Sequence, residues 1–140
     1  RGLGDVYKRQ FGEVATELRA EHGEDVLAHR LIDVVDELLS NHSIVLIEGL
    51  RGTAEREVFE NHWGESFKVV AITASQKLRF KRVTSRARSE DGDLSDLEAR
   101  DKRETGWGLD VILQEADFSF SNESNLEDLK NRVSAWLDNL

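Results

Sequence analysis

Residues 44–47 are Ile-Val-Leu-Ile, and Glu48, Gly49, Leu50, Arg51 and Gly52 follow at once. A short unbroken apolar run that ends in turn residues reads as a strand buried on both faces of a parallel sheet. That choice constrains the rest of the chain, because parallel strands need crossover connections, usually helices. Ligands of such sheets lie beyond the carboxyl ends of the strands. Glu48, Gly49 and Arg51 stand at that edge, either as ligand groups or as an ordinary charged loop.

Strand and helix signals alternate along the chain. Residues 11–20 have helical spacing, and Glu21-His22-Gly23 supplies a glycine stop. From Glu24 a second helix carries Val26, Leu27, Leu31, Val34, Val35, Leu38 and Leu39 and ends near Asn41. Thr53 is placed to cap a helix over 54–62 with Glu55 and Glu57 in its first turn, and Gly64 breaks it. Residues 67–73, FKVVAIT, form the second expected strand. Ser75 caps a helix over 76–86.

A charged helix over 94–105 has few apolar positions and should be largely solvated. Gly106-Trp107-Gly108 interrupts it, with Trp107 packing on a turn, before a short helix over 109–115. The third strand is 117–121, DFSFS. The last helix, capped at Ser124 or Asn125, presents Leu126, Leu129, Val133, Trp136, Leu137 and Leu140 inward. The expectation is one α/β domain, a parallel sheet with helices on both faces. Three strands are few for so many helices, which suggests a missing upstream part.

With 140 residues the chain suffices for one domain with a sizeable core, and no apolar run approaches a membrane span. The absence of Cys excludes disulfides and thiolate metal sites and fits a cytoplasmic location. A net charge of −9 argues against a general nucleic-acid binder while leaving room for a local basic pocket. Residues 1–10, RGLGDVYKRQ, carry +2 and lack a clean period. They resemble the translation of a common transposase sequencing adapter, so they are expected to be non-native and are set aside from the domain at 11–140. The native protein would then begin upstream of Phe11.

Arg79, Arg82 and Arg86 fall on one side of their helix, with Arg88 just beyond. In an acidic protein such a stripe needs partners. One reading is a phosphate clamp, because guanidinium groups match phosphate oxygens two at a time. The other is pairing with nearby Asp and Glu. Ser89 to Asp93 has the composition of a lid loop, within a lid-like insertion at about 87–108. His22, His29, His42 and His62 lack ligand spacing, and no nucleophile-elbow Ser is present.

Several stretches taken together resemble an uncharacterised archaeal family of P-loop proteins similar to dephospho-CoA kinases and nucleoside monophosphate kinases. They are Leu18-Arg19-Ala20-Glu21-His22-Gly23, residues 47–52, Arg79-Phe80-Lys81-Arg82, residues 100–104 with Trp107-Gly108-Leu109, and Ala116-Asp117 leading to Asn122. The resemblance spans 11–140. It implies a three-layer parallel-sheet fold whose N-terminal strands and phosphate loop precede the part present, since this chain has no glycine-rich loop with its Lys and hydroxyl residue.

By the same resemblance Glu48 helps hold magnesium through water, and Arg51, beside Gly49, contacts the acceptor's phosphate. Arg82 and Arg86 match paired arginines at the lid base that stack on adenine and touch the transferred phosphate. Arg100 and Arg103 are candidate arginines from the far side of the lid, counted with Arg88 of the stripe as substrate-binding, and Asn122 lies where the family places adenine. The implied activity is phosphoryl transfer from ATP, with Mg2+, to a nucleotide or coenzyme precursor, carried by positioning and charge neutralisation. The alternative is a nucleotide-binding regulatory ATPase module without a small-molecule acceptor. The chain as it stands is expected to be inactive.

Overall fold

The computed structural model describes residues 3–86 and 93–140. Seven helices and two strands are assigned among them. They are α1 (Leu3–His22), α2 (Val26–Leu39), α3 (Thr53–Trp63), β1 (Val70–Thr73), α4 (Gln76–Arg86), α5 (Leu94–Gly106), α6 (Leu109–Gln114), β2 (Phe118–Ser121) and α7 (Leu126–Leu137), with a 3-10 turn at Gly64–Ser66. The helix expected from Phe11 thus runs back without a break to Leu3.

The strands pair in parallel, with Val70 opposite Phe118 and Thr73 opposite Ser121. The chain is therefore mixed α/β, with a small parallel sheet and mostly helices. Phe118 N donates to Val69 O and Asn122 N to Thr73 O, so residues 69, 71 and 73 turn their polar backbone toward β2. The N–H and C=O groups of Val70 and Ile72 point to the opposite edge, which no described strand occupies.

The expected strand at 44–47 is not a strand. Residues 44–50 are irregular, and Ile44 and Leu46 are 67% and 87% exposed. Its composition suits a buried strand, but a strand requires a neighbour to complete its hydrogen bonds, and no backbone hydrogen bond joins it to a described segment. The sheet accordingly has two strands where three were read from the sequence. The second strand is also shorter than 67–73, because the Asp117 carboxylate, not a strand, accepts from Val69 N at 2.7 Å.

The core is drawn from almost every element: Val26, Ala28 and Val35 of α2, Phe59 of α3, Ala71, Val83, Leu97, Ile112 and Leu129. Phe59 stacks on Trp63 with centroids 5.2 Å apart and meets Phe67 at 5.5 Å. α6 packs on β1 and α7 on β2. Trp136 of α7 lies 4.9 Å from Phe118 and 5.6 Å from Phe120, covering the β2 half of one sheet face. Ile72, in register with Phe120, is left 55% exposed. The two-sided covering expected of the sheet is thus incomplete.

The helical stripes are likewise only partly buried. α7 buries Leu129 but leaves Leu126 and Leu137 exposed, Leu140 lies exposed beyond its end, and α2 leaves Leu31, Val34, Leu38 and Leu39 exposed. Conversely the charged α5, expected to be largely solvated, buries Leu97. It starts with a reciprocal cap in which Asp93 Oδ1 accepts from Asp96 N and Asp96 Oδ2 from Asp93 N. Asn125 caps α7 by accepting from Asp128 N at 2.9 Å. α2 ends at Leu39 with Ser40 as its cap, one residue short of Asn41.

Candidate functional site

Two groups of side chains gather some of the residues singled out in the sequence, Gly49, Arg51 and Arg103 in one and Arg82 and Asn122 in the other. The first is built on residues 49–55, the turn that enters α3. Gly49 has φ of +93°, a conformation that side chains resist. Its carbonyl accepts from Arg51 Nη1 at 2.8 Å, and a Cβ at Gly49 would lie 2.8 Å from that nitrogen. Arg51 Nε donates to Glu104 Oε1 of α5 at 3.0 Å. The Arg51 side chain remains 47% exposed.

Thr53 is not the helix cap it was expected to be. It is the first residue of α3, with Gly52 before it as N-cap, and Glu55 supplies the capping oxygen. Glu55 Oε2 accepts from the backbone N–H groups of Arg51 and Gly52, both at 3.3 Å. Its other oxygen accepts from Arg19 Nη2 of α1 at 2.7 Å. Arg19 also lies over the Trp107 ring at 4.7 Å, and Arg103 lies over the same ring at 5.7 Å. Two guanidinium groups on one indole are stabilised by the ring's π electrons.

The Trp107 carbonyl in turn accepts from Thr53 N at 3.0 Å. Gly108, with φ of +95°, brings its backbone so close that a Cβ there would lie 2.6 Å from Thr53 Cγ2. The two glycine-flanked stretches, 49–52 and 106–108, therefore meet face to face. Gly49, Arg51 and Arg103 belong to this group. Arg100 is half-buried on α5 and bonds to no described residue.

The second group lies at the carboxyl ends of β1 and β2. Arg82 Nη1 donates to the Asn122 carbonyl at 2.7 Å and Nη2 to that of Ser124 at 2.8 Å. Glu123 accepts from the backbone N–H and hydroxyl of Ser75, fixing the same loop to the start of α4. Arg82 and Asn122, read separately as adenine-side residues, are thus direct neighbours. Their contact uses the guanidinium to order a loop.

α5 ties α4 to the turn before α3. Asp101 takes two bonds from Arg79, at 2.7 and 2.6 Å, and Glu104, three residues on and so on the same side, takes Arg51. The hydrogen bonds from Arg79 hold the Asp101 carboxyl below the usual carboxylate range, and Asp101 in turn raises Arg79. Two members of the arginine stripe, Arg79 and Arg82, thereby have protein partners.

Glu48 is exposed and pairs with no described residue. Among the described residues no three His, Cys, Asp or Glu gather into a metal-holding group. Arg86 closes α4, its side chain outside what is described, and Arg88 with the lid-like stretch 87–92 lies outside the described residues.

Arg19, Glu55, Glu104 and Glu123 carry these groups and were not read as site residues from the sequence. Glu55 had one legible signal, its place three residues after a glycine that can cap a helix. The others are joined by contacts too distant in sequence for any local pattern.

No family model matches the sequence. The chain is 43% identical over 125 residues to a UPF0200 protein of Methanoregula boonei, covering 89% of this chain and 67% of that protein. It is 36% identical over 150 residues to a UPF0200 protein of Methanosarcina barkeri, covering 98% of this chain and 80% of that one. A UPF0200/UPF0201 protein of Archaeoglobus fulgidus is 39% identical over 134 residues, but the chain spans only 41% of its length. On these identities and coverages, the chain belongs to the archaeal UPF0200 family.

Proposed function

We propose that this chain is the acceptor-side and lid-side portion of a P-loop kinase-like protein that transfers a phosphoryl group from ATP to a nucleotide or coenzyme precursor. The observation that carries the reading is Arg51. Its half-exposed guanidinium emerges from a turn fixed by Glu55, Gly49 and Trp107, directly after the apolar run that ends in Glu48. A fixed, accessible guanidinium suits recognition of a phosphate monoester. The Asn122 loop, held by Arg82 at the carboxyl ends of parallel strands, supports a nucleotide site there. The unpaired edge of β1 and the exposed Ile44 and Leu46 suit a further parallel strand between them.

Arg51, Gly49, Arg103 and Arg100 serve the acceptor, and Arg82 with Asn122 the nucleotide. When bound, ATP with Mg2+ supplies the transferred group. The chain's own residues would hold and orient the phosphates.

A second reading, a nucleotide-binding regulatory ATPase module, is favoured by the engagement of Arg79 and Arg82 with protein partners, which leaves fewer guanidiniums for an acceptor. The test is equilibrium titration of the full-length Methanoregula boonei relative with ATP and magnesium, then turnover with nucleoside monophosphates and dephospho-CoA. Absence of ATP binding overturns both readings. Hydrolysis without an acceptor product selects the second.

A further inference from the structure

Among the described residues Glu55 is the one charged side chain that is buried, at 5% exposure. Nothing about capping requires such burial, since a carboxylate at this helix position normally stays in water. Its three bonds are also divided in an informative way. One oxygen takes Arg19, itself 12% exposed, while the other takes two successive backbone N–H groups, those of Arg51 and Gly52. The arginine that supplies charge compensation comes from α1, and the peptide that is held belongs to the candidate phosphate-binding residue.

We propose that Glu55 is a positioning residue for phosphate binding: with Arg19 as its counter-ion, it locks the Arg51–Gly52 backbone so that the Arg51 guanidinium is presented preorganised. This rests on the reading of Arg51 as a phosphate-binding group. A long arginine side chain on a free turn would scatter its guanidinium over many positions, and each must be given up on binding. Here the turn is fixed at three successive residues. Glu55 holds the N–H of Arg51 and Gly52, and the Trp107 carbonyl holds that of Thr53. The remaining freedom of Arg51 lies in its side chain, which already rests on the Gly49 carbonyl and Glu104. Arg19 couples the two halves of this seat, because the same guanidinium that pairs with Glu55 stacks on Trp107.

The test titrates inorganic phosphate into the 140-residue protein and follows the Arg51 Nε–Hε signal and the Arg51 and Gly52 amide signals by NMR. Glu55→Gln and Arg19→Gln are measured alongside, and thermal melts check that each variant is folded. In the wild type phosphate is expected to move the Arg51 side-chain signal while both amides stay in place and exchange slowly with solvent. Glu55→Gln keeps one acceptor oxygen but loses the charge that holds Arg19, and should weaken phosphate at least about tenfold. Arg19→Gln should do the same, although Arg19 touches neither Arg51 nor the phosphate.

Unchanged phosphate affinity in a folded Glu55→Gln protein overturns the positioning role and leaves the reading of Arg51 standing. So do wild-type amides at 51 and 52 that exchange freely, an outcome that can be read even if both variants unfold. A wild-type Arg51 signal that phosphate never moves overturns the reading of Arg51 and this inference with it.

Discussion

Arg51 and Glu104 stand 53 residues apart in sequence and meet at 3.0 Å, joining the turn before α3 to the charged helix α5. The bond is asymmetric in exposure, since Glu104 is largely covered and Arg51 is not. On the proposed reading of Arg51, an incoming phosphate would compete with Glu104 for it.

Replacing Arg51 by Ala should separate function from stability. Its ion pair is partly exposed, and such pairs contribute roughly 0–1 kcal/mol. Acceptor turnover by the full-length protein, by contrast, is expected to fall about 100-fold, the usual effect of losing one transition-state donor. Steady-state kinetics and a denaturant melt on the same preparation check both halves. Unaltered turnover would remove Arg51 from the site.

Glu55→Ala is expected to behave in the opposite way, with a large loss of stability. It strands Arg19 away from water and frees two backbone donors, and breaking a buried pair in this manner costs about 3–5 kcal/mol. Urea unfolding monitored by circular dichroism measures it. A loss below about 1 kcal/mol would show that water replaces the carboxylate at no great cost.

Gly108→Ala tests the contact between the two glycine-flanked turns. The left-handed backbone at Gly108 resists a side chain, at about 1–3 kcal/mol, and the added methyl would meet Thr53. The substitution should therefore also disturb the Thr53 N–H bond to Trp107, visible as faster amide exchange at Thr53. Gly64→Ala is the control for the amide readout alone: at φ +53° and ψ −130° it is strained in its own right, but a Cβ there meets nothing within 4 Å, so exchange at Thr53 should stay unchanged.

Asp101 gives a pH dependence with a definite sign. Its carboxyl is depressed from 3.8 by the hydrogen bonds and charge of Arg79. A depressed carboxylate contributes stability that is fully present above its unfolded value and is lost as the pH falls through the lower folded value. The stability difference between wild type and Asp101→Asn should be constant near neutrality and shrink only below 3.8. Urea midpoints across an acid series measure it, and a difference that shrinks on the alkaline side would contradict the assignment.

The helices were legible because their signals are local. Apolar spacing placed α2 closely, Ser75 marked the start of α4, and Asn125 marked the start of α7 where its carboxamide caps Asp128 N. Strand 44–47 was misread for the converse reason: Ile-Val-Leu-Ile has the composition of a strand, but pairing is supplied by another part of the chain. The candidate site was half legible. Glycines and arginines at 49–52 stood out as turn and charge, and Arg82 and Asn122 as separate candidates. What joins them did not, because Glu104, Arg19 and Ser75 find their partners across 53, 36 and 48 residues.

The open edge of β1 has a consequence for handling this protein. Two strands of four residues make a sheet too small to persist without the helices around it. The N–H and C=O groups of Val70 and Ile72, which no described strand pairs, form beside an exposed isoleucine a template on which an extended apolar segment can add. At neutral pH the net charge of −9 keeps copies apart. Concentrating the protein in mild acid, where carboxylates lose their charge, removes that repulsion while leaving the edge bare, and light scattering should rise there before the helical circular dichroism falls.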